Sequence, residues 1–154
     1  MLEDIESILI DEDKLAKRIK EIGQEISEDF AGEEIMLVGI LKGASVFMSD
    51  LIRQISLPVY IDYMVVSSYG NSAETSGVVR IIKDLEDNID EKNIIIVEDI
   101  IDTGLTLSYL KQNLLSRNPK TLKICTLLDK PARREKEINI DYRGFEVTDE
   151  FIIG

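Results

Sequence analysis

Three carboxylates and two threonines crowd into the stretch from position 98 to position 106. Glu98 and Asp99 are adjacent, Asp102 follows, and Thr103-Gly104-Leu105-Thr106 completes the run. Carboxylates cannot touch a phosphate without repulsion. Their natural partners are sugar hydroxyls or a hard dication such as magnesium, which takes carboxylate and phosphate oxygens together. The two threonine hydroxyls add donors, and Gly104 lets the backbone close on a ligand. A helix starting here would offer its first amides to an anion. The group therefore suits a phosphorylated, hydroxyl-bearing ligand, with Asp102 placed between the acids and the phosphate turn, where a general base would lie. The plain alternative is that the acids cap a helix and line a solvated sheet edge. Three acids followed by Thr-Gly at one strand end speak against it.

The chain has no histidine. That removes Ser-His-Asp and Cys-His chemistry and histidine-based zinc sites, and leaves acid–base work to Asp, Glu, Lys or Tyr. A formal charge of −12 disfavours a polyanionic partner such as nucleic acid, which needs clustered Lys and Arg. It leaves room for a small anion held by local amides, a few cations and a metal. Cys125 stands alone in an apolar stretch, Leu122 to Leu128, and reads as a buried reduced thiol. The 154 residues, 44% apolar and 31% charged, fit one soluble domain with a real core. No apolar run approaches the ~20 residues of a membrane span. The acidic start MLEDIESILIDEDK lacks the basic beginning of a signal peptide, so a cytoplasmic location is expected.

Two strand-turn-helix junctions must position the chemical groups. Ile94-Ile95-Ile96-Val97 is a β-branched run of the kind buried on both sheet faces, and it leads directly into Glu98. The segment Leu105 to Leu115 is apolar and helix-compatible, with the helix expected at Thr106 to Ser116. The other junction is a strand from Ile35 to Leu41, a turn at Lys42-Gly43-Ala44-Ser45 and a helix from Val46 to Ile55. Apolar Leu15, Ile19, Ile22 and Ile26 predict an amphipathic helix from Asp13 to about Phe30. Further strands are expected at Val59 to Ser67, Val78 to Leu85 and Leu122 to Leu128. Between them lie a polar, flexible segment, Ser68 to Gly77, and a turn, Asp87 to Asn93. A basic loop follows at Lys130 to Lys136, and Gly144 to Ile153 should hold one or two short strands. Alternating strands and helices predict an α/β fold with a mostly parallel central sheet. In such sheets ligands bind beyond the carboxyl ends of the strands.

The stretch IIIVEDIIDTGLTL, residues 94–107, resembles the 5-phosphoribosyl-1-pyrophosphate (PRPP) signature of type I phosphoribosyltransferases. The segments LKGAS, SSYG, LLDKPARR and GFEVTDEFIIG occur in the family's order and narrow the resemblance to the short bacterial hypoxanthine-guanine phosphoribosyltransferases. It runs from about Leu9 to Gly154. It implies the type I phosphoribosyltransferase fold, a mostly parallel central sheet flanked by helices with a small hood from the chain ends, in one domain over residues 1–154. The implied reaction is purine salvage: a 6-oxopurine and PRPP give the nucleoside 5′-monophosphate and pyrophosphate, with Mg2+.

The same resemblance assigns roles. Glu98 and Asp99 hold the ribose 2′ and 3′ hydroxyls and, through ribose or water, the magnesium. Asp102 lies near purine N7 as base or hydrogen-bond partner, and Asp102, Thr103, Gly104, Leu105 and Thr106 wrap the 5′-phosphate. Leu41, Lys42 and Gly43 form the pyrophosphate loop, where the family often has a non-proline cis peptide before the lysine, and Arg134 reaches the pyrophosphate. Lys130 reads the 6-oxo group, Phe151 stacks on the base, and the backbone of Ile152 meets its edge. Ser68 and Tyr69 open the loop that closes over the site. Taken singly, Lys42 and Lys130 could be solvated lysines, Phe151 a core residue and Tyr69 loop packing. The implied partners are the 6-oxopurine and PRPP, with no nucleic acid and no membrane, in a homodimer or homotetramer. The helix after Val46 and the strand from Val59 are the candidate contacts.

The family usually continues past the position of Gly154 into a tail whose Asp binds a second magnesium, and this chain is expected to lack that tail. Leu105 offers only its amide where some relatives carry a basic residue. Two other readings share the fold: a regulatory protein that senses PRPP or nucleotides, and a sister transferase for another base, such as xanthine or a pyrimidine. The charge of −12 argues against the first. A lysine that reads an oxo group fits hypoxanthine or guanine better than the second, and the sequence does not rank the purines.

Overall fold

Strands that are apolar along both faces need cover on both sides, and helices supply it. The computed structural model describes residues 7–69 and 78–153. Its elements run α1 (Glu12–Asp29), β1 (Ile35–Leu41), α2 (Ala44–Ile52), β2 (Val59–Tyr69), β3 (Val78–Lys83), β4 (Asn93–Ile101), α3 (Leu105–Leu115), β5 (Thr121–Asp129) and β6 (Tyr142–Glu146), with a 3-10 turn at Pro131–Arg133. The sheet order is β3-β2-β1-β4-β5-β6. All neighbours are parallel except the β2–β3 pair. Leu37, Ile95, Val97 and Cys125 pack against α1 and α2 on one face. Met36, Val38, Ile94, Ile96 and Ile124 pack against α3 on the other. Successive residues thus alternate between two cores, which is why the strands read as unbroken apolar runs.

Helix α1 begins where Asp11 accepts the Lys14 backbone N–H at 2.9 Å, an N-cap. It buries Ile19, Ile22 and Ile26. No helix among the described residues is long and apolar enough to cross a membrane. Cys125 is buried, and burial pushes its thiol pKa well up.

Several boundaries differ from the sequence expectation. β4 does not stop at Val97: it carries Glu98 and Asp99 inside the strand and pairs with β5 as far as Ile101↔Asp129. Backbone pairing is indifferent to side-chain polarity, so the acids did not end it. Helix α2 starts at Ala44 and ends at Ile52, where Val46 to Ile55 was expected. Helix α3 starts at Leu105, one residue early. Ser68 and Tyr69 belong to β2 and pair with Val79 and Val78, so the polar segment begins later than expected; 70–77 lie outside the described residues. Gly144 to Ile153 contributes to a single strand, β6, which ends at Glu146. The FII segment has no strand partner, and Phe151 and Ile153 are exposed. Of the expected chain-end hood, residues 147–153 lie beside Lys130, while α1 packs on the sheet face.

Ile96 is fully buried beneath α3. Ile96→Ala should therefore cost about 2–5 kcal/mol, read as a lowered urea midpoint with an unchanged slope.

Candidate active site

The strand order reverses between β1 and β4. From β1 the chain moves outward to β2 and β3, then returns to β4 on β1's other side and continues to β5 and β6. Helix α2, which follows β1, covers one face, and α3, which follows β4, covers the other. Helices that leave neighbouring strands in opposite directions open a crevice at the carboxyl ends of those strands. Its walls are Leu41-Lys42-Gly43 on one side and Glu98 to Thr106 on the other, with Lys130 at the end of adjacent β5.

Both helices open on this crevice without a side-chain cap. Gly43 precedes α2 and Gly104 precedes α3, and neither junction has a capping hydrogen bond of the kind Asp11 gives α1. The Ser45 N–H donates to the Lys42 carbonyl at 3.2 Å and the Leu105 N–H to Thr103 Oγ1 at 3.4 Å, and other first-turn amides remain available to an anion. Gly104 has φ +80°, a left-handed conformation that strains any residue with a Cβ. A Cβ there would also stand 2.7 Å from the Lys136 carbonyl oxygen. At Gly43 the requirement is space: a Cβ would overlap the Asp99 carboxylate. The Leu41–Lys42 peptide is cis. Lys42 is exposed and makes no ion pair among the described residues.

Alternation along β4 sends Glu98 toward the α3 face and Asp99 toward the α2 face, against Gly43. The two acids are therefore less parallel than their adjacency in sequence suggests. Burial, with the Asp99 charge as the lesser cause, pushes the Glu98 carboxyl from 4.5 up to about 8. Part of the Glu98 side chain still reaches solvent, but desolvation of its charged form dominates. Asp102 lies beyond β4. Its Oδ1 is enclosed with no hydrogen-bond partner among the described residues. Arg133 Nε stands 3.3 Å from that oxygen and 3.4 Å from Asp149 Oδ1, an electrostatic contact without hydrogen-bond alignment.

Lys130 is not a solvated lysine. It is 6% exposed, its Nζ donates to the Glu150 carbonyl, and its backbone N–H donates to Ile101 at 2.9 Å. An ammonium has three donors, so this enclosed group can still read a ligand carbonyl. Phe151 is 92% exposed, which rules out the core role. Its ring is free to cover a flat ligand, with half-buried Ile152 beside it. Arg134 departs from its expected place. Its guanidinium is bound to Asp129 and, through Nε at 3.1 Å, to the Asp102 carbonyl.

Asp129, Arg133, Arg143 and Asp149 were not singled out from sequence. An acid directly before Lys130, closing an apolar strand and followed by PARR, was the available signal for Asp129. The partners of the arginines depend on loop geometry. A separate concavity of about 650 Å³ lies at the amino ends of the strands, lined by Glu33, Tyr60, Asp87, Lys92, Asn93 and Lys120 among others. Its central charges already satisfy one another, with Lys120 and Asn93 both donating to Glu33 at 2.6 Å. It has no helix start and is not where the chemistry points.

A family model described as the phosphoribosyl transferase domain matches residues 7–154. This chain belongs to the phosphoribosyltransferase family. It is 48% identical to a hypoxanthine-guanine phosphoribosyltransferase of Bacillus subtilis, over all of this chain and 86% of that protein. A crystal structure of a hypoxanthine phosphoribosyltransferase from Staphylococcus aureus superposes with a TM-score of 0.94 at 44% identity, covering 98% of this chain and 82% of that one. A hypoxanthine-guanine phosphoribosyltransferase from Bacillus anthracis, with a HEPES molecule in its active site, gives a TM-score of 0.92 at 50% identity, covering 96% and 87%. The fold expected of a type I phosphoribosyltransferase is the one observed.

No three acidic, cysteine or histidine side chains converge on one point among the described residues. Among the described residues there is therefore no all-protein cage for a cation. Glu98 and Asp99 fit magnesium in another way: Glu98, driven toward neutrality by burial and to a lesser degree by the Asp99 charge, would be relieved by a dication that takes its other ligands from substrate and water.

The raised Glu98 pKa sets a sign for stability. Between pH 4.5 and about 8 the folded protein keeps a proton that the unfolded chain has lost. The Glu98 contribution is complete below that window and disappears as pH rises through it, at up to about 1.4 kcal/mol per pH unit. Asp29, Asp62 and Asp84 are shifted downward, so their contributions are lost only at more acidic pH. Urea unfolding from pH 5 to 9 should show wild-type stability falling with pH and a flatter dependence in Glu98→Gln; parallel profiles would disprove the shift.

Proposed function

We propose that this phosphoribosyltransferase serves purine salvage, transferring the 5-phosphoribosyl group of PRPP to hypoxanthine and to guanine and releasing IMP or GMP and pyrophosphate. The observation that carries the reading is the likeness, along the whole chain, to proteins named for that activity. The crevice supplies a group for each part of the reaction.

Ribose carbon 1 loses pyrophosphate through a transition state with oxocarbenium character, and the purine nitrogen N9 takes its place. Positive charge growing on the sugar is favoured by the nearby acids, Asp99 and ionised Glu98, which also accept from the ribose hydroxyls. The uncapped start of α3, from Thr103 to Thr106, receives the 5′-phosphate. Lys42 and the start of α2 receive the pyrophosphate. Magnesium bound with PRPP, held through Glu98 and Asp99 by way of ribose or water, would supply further positive charge to the leaving group. The half-exposed carboxylate of Asp102, which has Arg133 beside it and no hydrogen bond at Oδ1, accepts the hydrogen on purine N7, as base or as hydrogen-bond partner, while N9 attacks. Lys130 donates to the 6-oxo group, which favours hypoxanthine and guanine over adenine. Phe151 covers the base, and Ile152 meets its edge. The reading implies one catalytic domain over residues 1–154, a cytoplasmic enzyme, and a dimer or tetramer joined through α2 and β2, where Val46, Tyr60 and Ile61 are exposed.

The direct test is a spectrophotometric panel of hypoxanthine, guanine, xanthine, adenine and uracil, each with PRPP and magnesium. Turnover with hypoxanthine and guanine is expected. Turnover confined to another base identifies a sister transferase. PRPP binding without turnover, joined to a gel-shift with nucleic acid, identifies a regulatory protein. Asp102→Asn should lower kcat by about 10²–10⁴-fold while calorimetry shows PRPP binding retained. Equal kcat would remove Asp102 from the chemistry.

A further inference from the structure

The loop that begins α3 is gripped from behind. The carbonyl of Asp102 accepts from Arg134 Nε at 3.1 Å. The carbonyl of Thr103 accepts the backbone N–H groups of Glu135 at 2.9 Å and Lys136 at 3.1 Å. Two successive peptide carbonyls are thus drawn toward the 134–136 segment. In a trans peptide the N–H points opposite to the C=O. Drawing these carbonyls back turns the N–H groups of Thr103 and Gly104 the other way, out of the loop and away from that segment. Left-handed Gly104 follows, so consecutive amides form a concave anion site.

Arg134 is itself held. Its other contact is Asp129, which is 1% exposed and takes Arg143 Nε on its second oxygen at 2.8 Å. Asp129 closes β5 and immediately precedes Lys130. It is further fixed by its carbonyl, which accepts from Val147 N–H at 2.8 Å. The guanidinium is planar and presents its donors in a fixed fork, so its bond to Asp129 determines where Nε points.

We propose that Arg134 is a positioning residue, anchored by Asp129, which sets the orientation of the amides that bind the substrate's 5′-phosphate. It does not act as a ligand of the pyrophosphate. The inference rests on the phosphoribosyl-transfer reading above and adds to it that the purine-side loop, 129–136, and the phosphate loop, 102–106, are one mechanical unit. Asp129 touches no substrate and acts at one remove, through Arg134.

The test compares IMP with inosine, which differ only in the 5′-phosphate, and measures the KM for pyrophosphate in the reverse reaction. Arg134→Lys keeps a positive charge beside Asp129 but cannot reach both partners. It should weaken IMP binding by about tenfold or more, leave inosine binding within twofold, and leave the pyrophosphate KM unchanged. Asp129→Asn should reproduce the same IMP-specific loss without touching ligand. Thermal melts establish that both variants are folded; if Asp129→Asn is not, Arg134→Lys and Arg134→Gln decide alone. A raised pyrophosphate KM with normal IMP affinity would make Arg134 a pyrophosphate ligand and overturn the proposal. Equal losses for IMP and inosine would overturn it as general disruption. Wild-type protein that fails to bind IMP would instead bring down the functional reading, and this inference with it.

Discussion

The parallel pairing of β1 with β4 is the constraint from which the site follows. The register from Met36↔Ile94 to Gly39↔Val97 brings two strand ends side by side, although they lie some sixty residues apart in sequence. Parallel strands must be joined by crossovers. Here the chain uses α2 on one face and α3 on the other, so the two helix starts point into one crevice from opposite sides. A transferase that must hold a phosphate at one end of a sugar and a pyrophosphate at the other needs two anion sites a fixed distance apart. A rigid sheet fixes that distance better than loops alone.

Beyond the sheet, the site is supported by charge. Asp129 is a buried carboxylate with an arginine on each oxygen, at a place where the apolar core ends. Burying such a group costs more than a hydrophobic replacement would, and removing one partner leaves an uncompensated charge. Its retention makes sense as a device for orientation. The same short stretch carries Lys130, Arg133 and Arg134, which reach Glu150, Asp102 with Asp149, and the back of the phosphate loop. Lys130 and the back of the 102–106 loop are therefore held by one turn.

The core strands and the amphipathic α1 could be read from sequence because burial on two faces leaves an unbroken apolar run and burial on one leaves a 3–4 spacing. The ends of β2 and β4 could not, since ladder bonds continue through Ser68, Glu98 and Asp99 regardless of their polarity. The cluster of acids and threonines suggested a phosphosugar site and LKGAS its partner, and the β1–β4 pairing brings the two stretches to one crevice. Glu98 and Asp99 looked like a matched pair because sequence gives adjacency, and strand pleating then separates them. The contacts of Arg134 were hidden for a related reason: a basic residue in a basic loop says that charge is needed, and only the fold shows it beside Asp129 and the Asp102 carbonyl.

The half-neutral state of Glu98 reaches beyond its own carbon atoms. The formal charge of −12 counts it as ionised, yet near neutrality the folded protein largely stores a proton there. A chain without histidine has few other places to keep one at that pH. An incoming ligand that brings magnesium and hydroxyl donors favours the charged form, so docking would eject the stored proton into solvent. The mouth of the crevice would thus be less repulsive to an anion on approach than once the anion had arrived. With such a guest the Glu98 carboxyl would act as a small proton reservoir that discharges as the polyphosphate settles in.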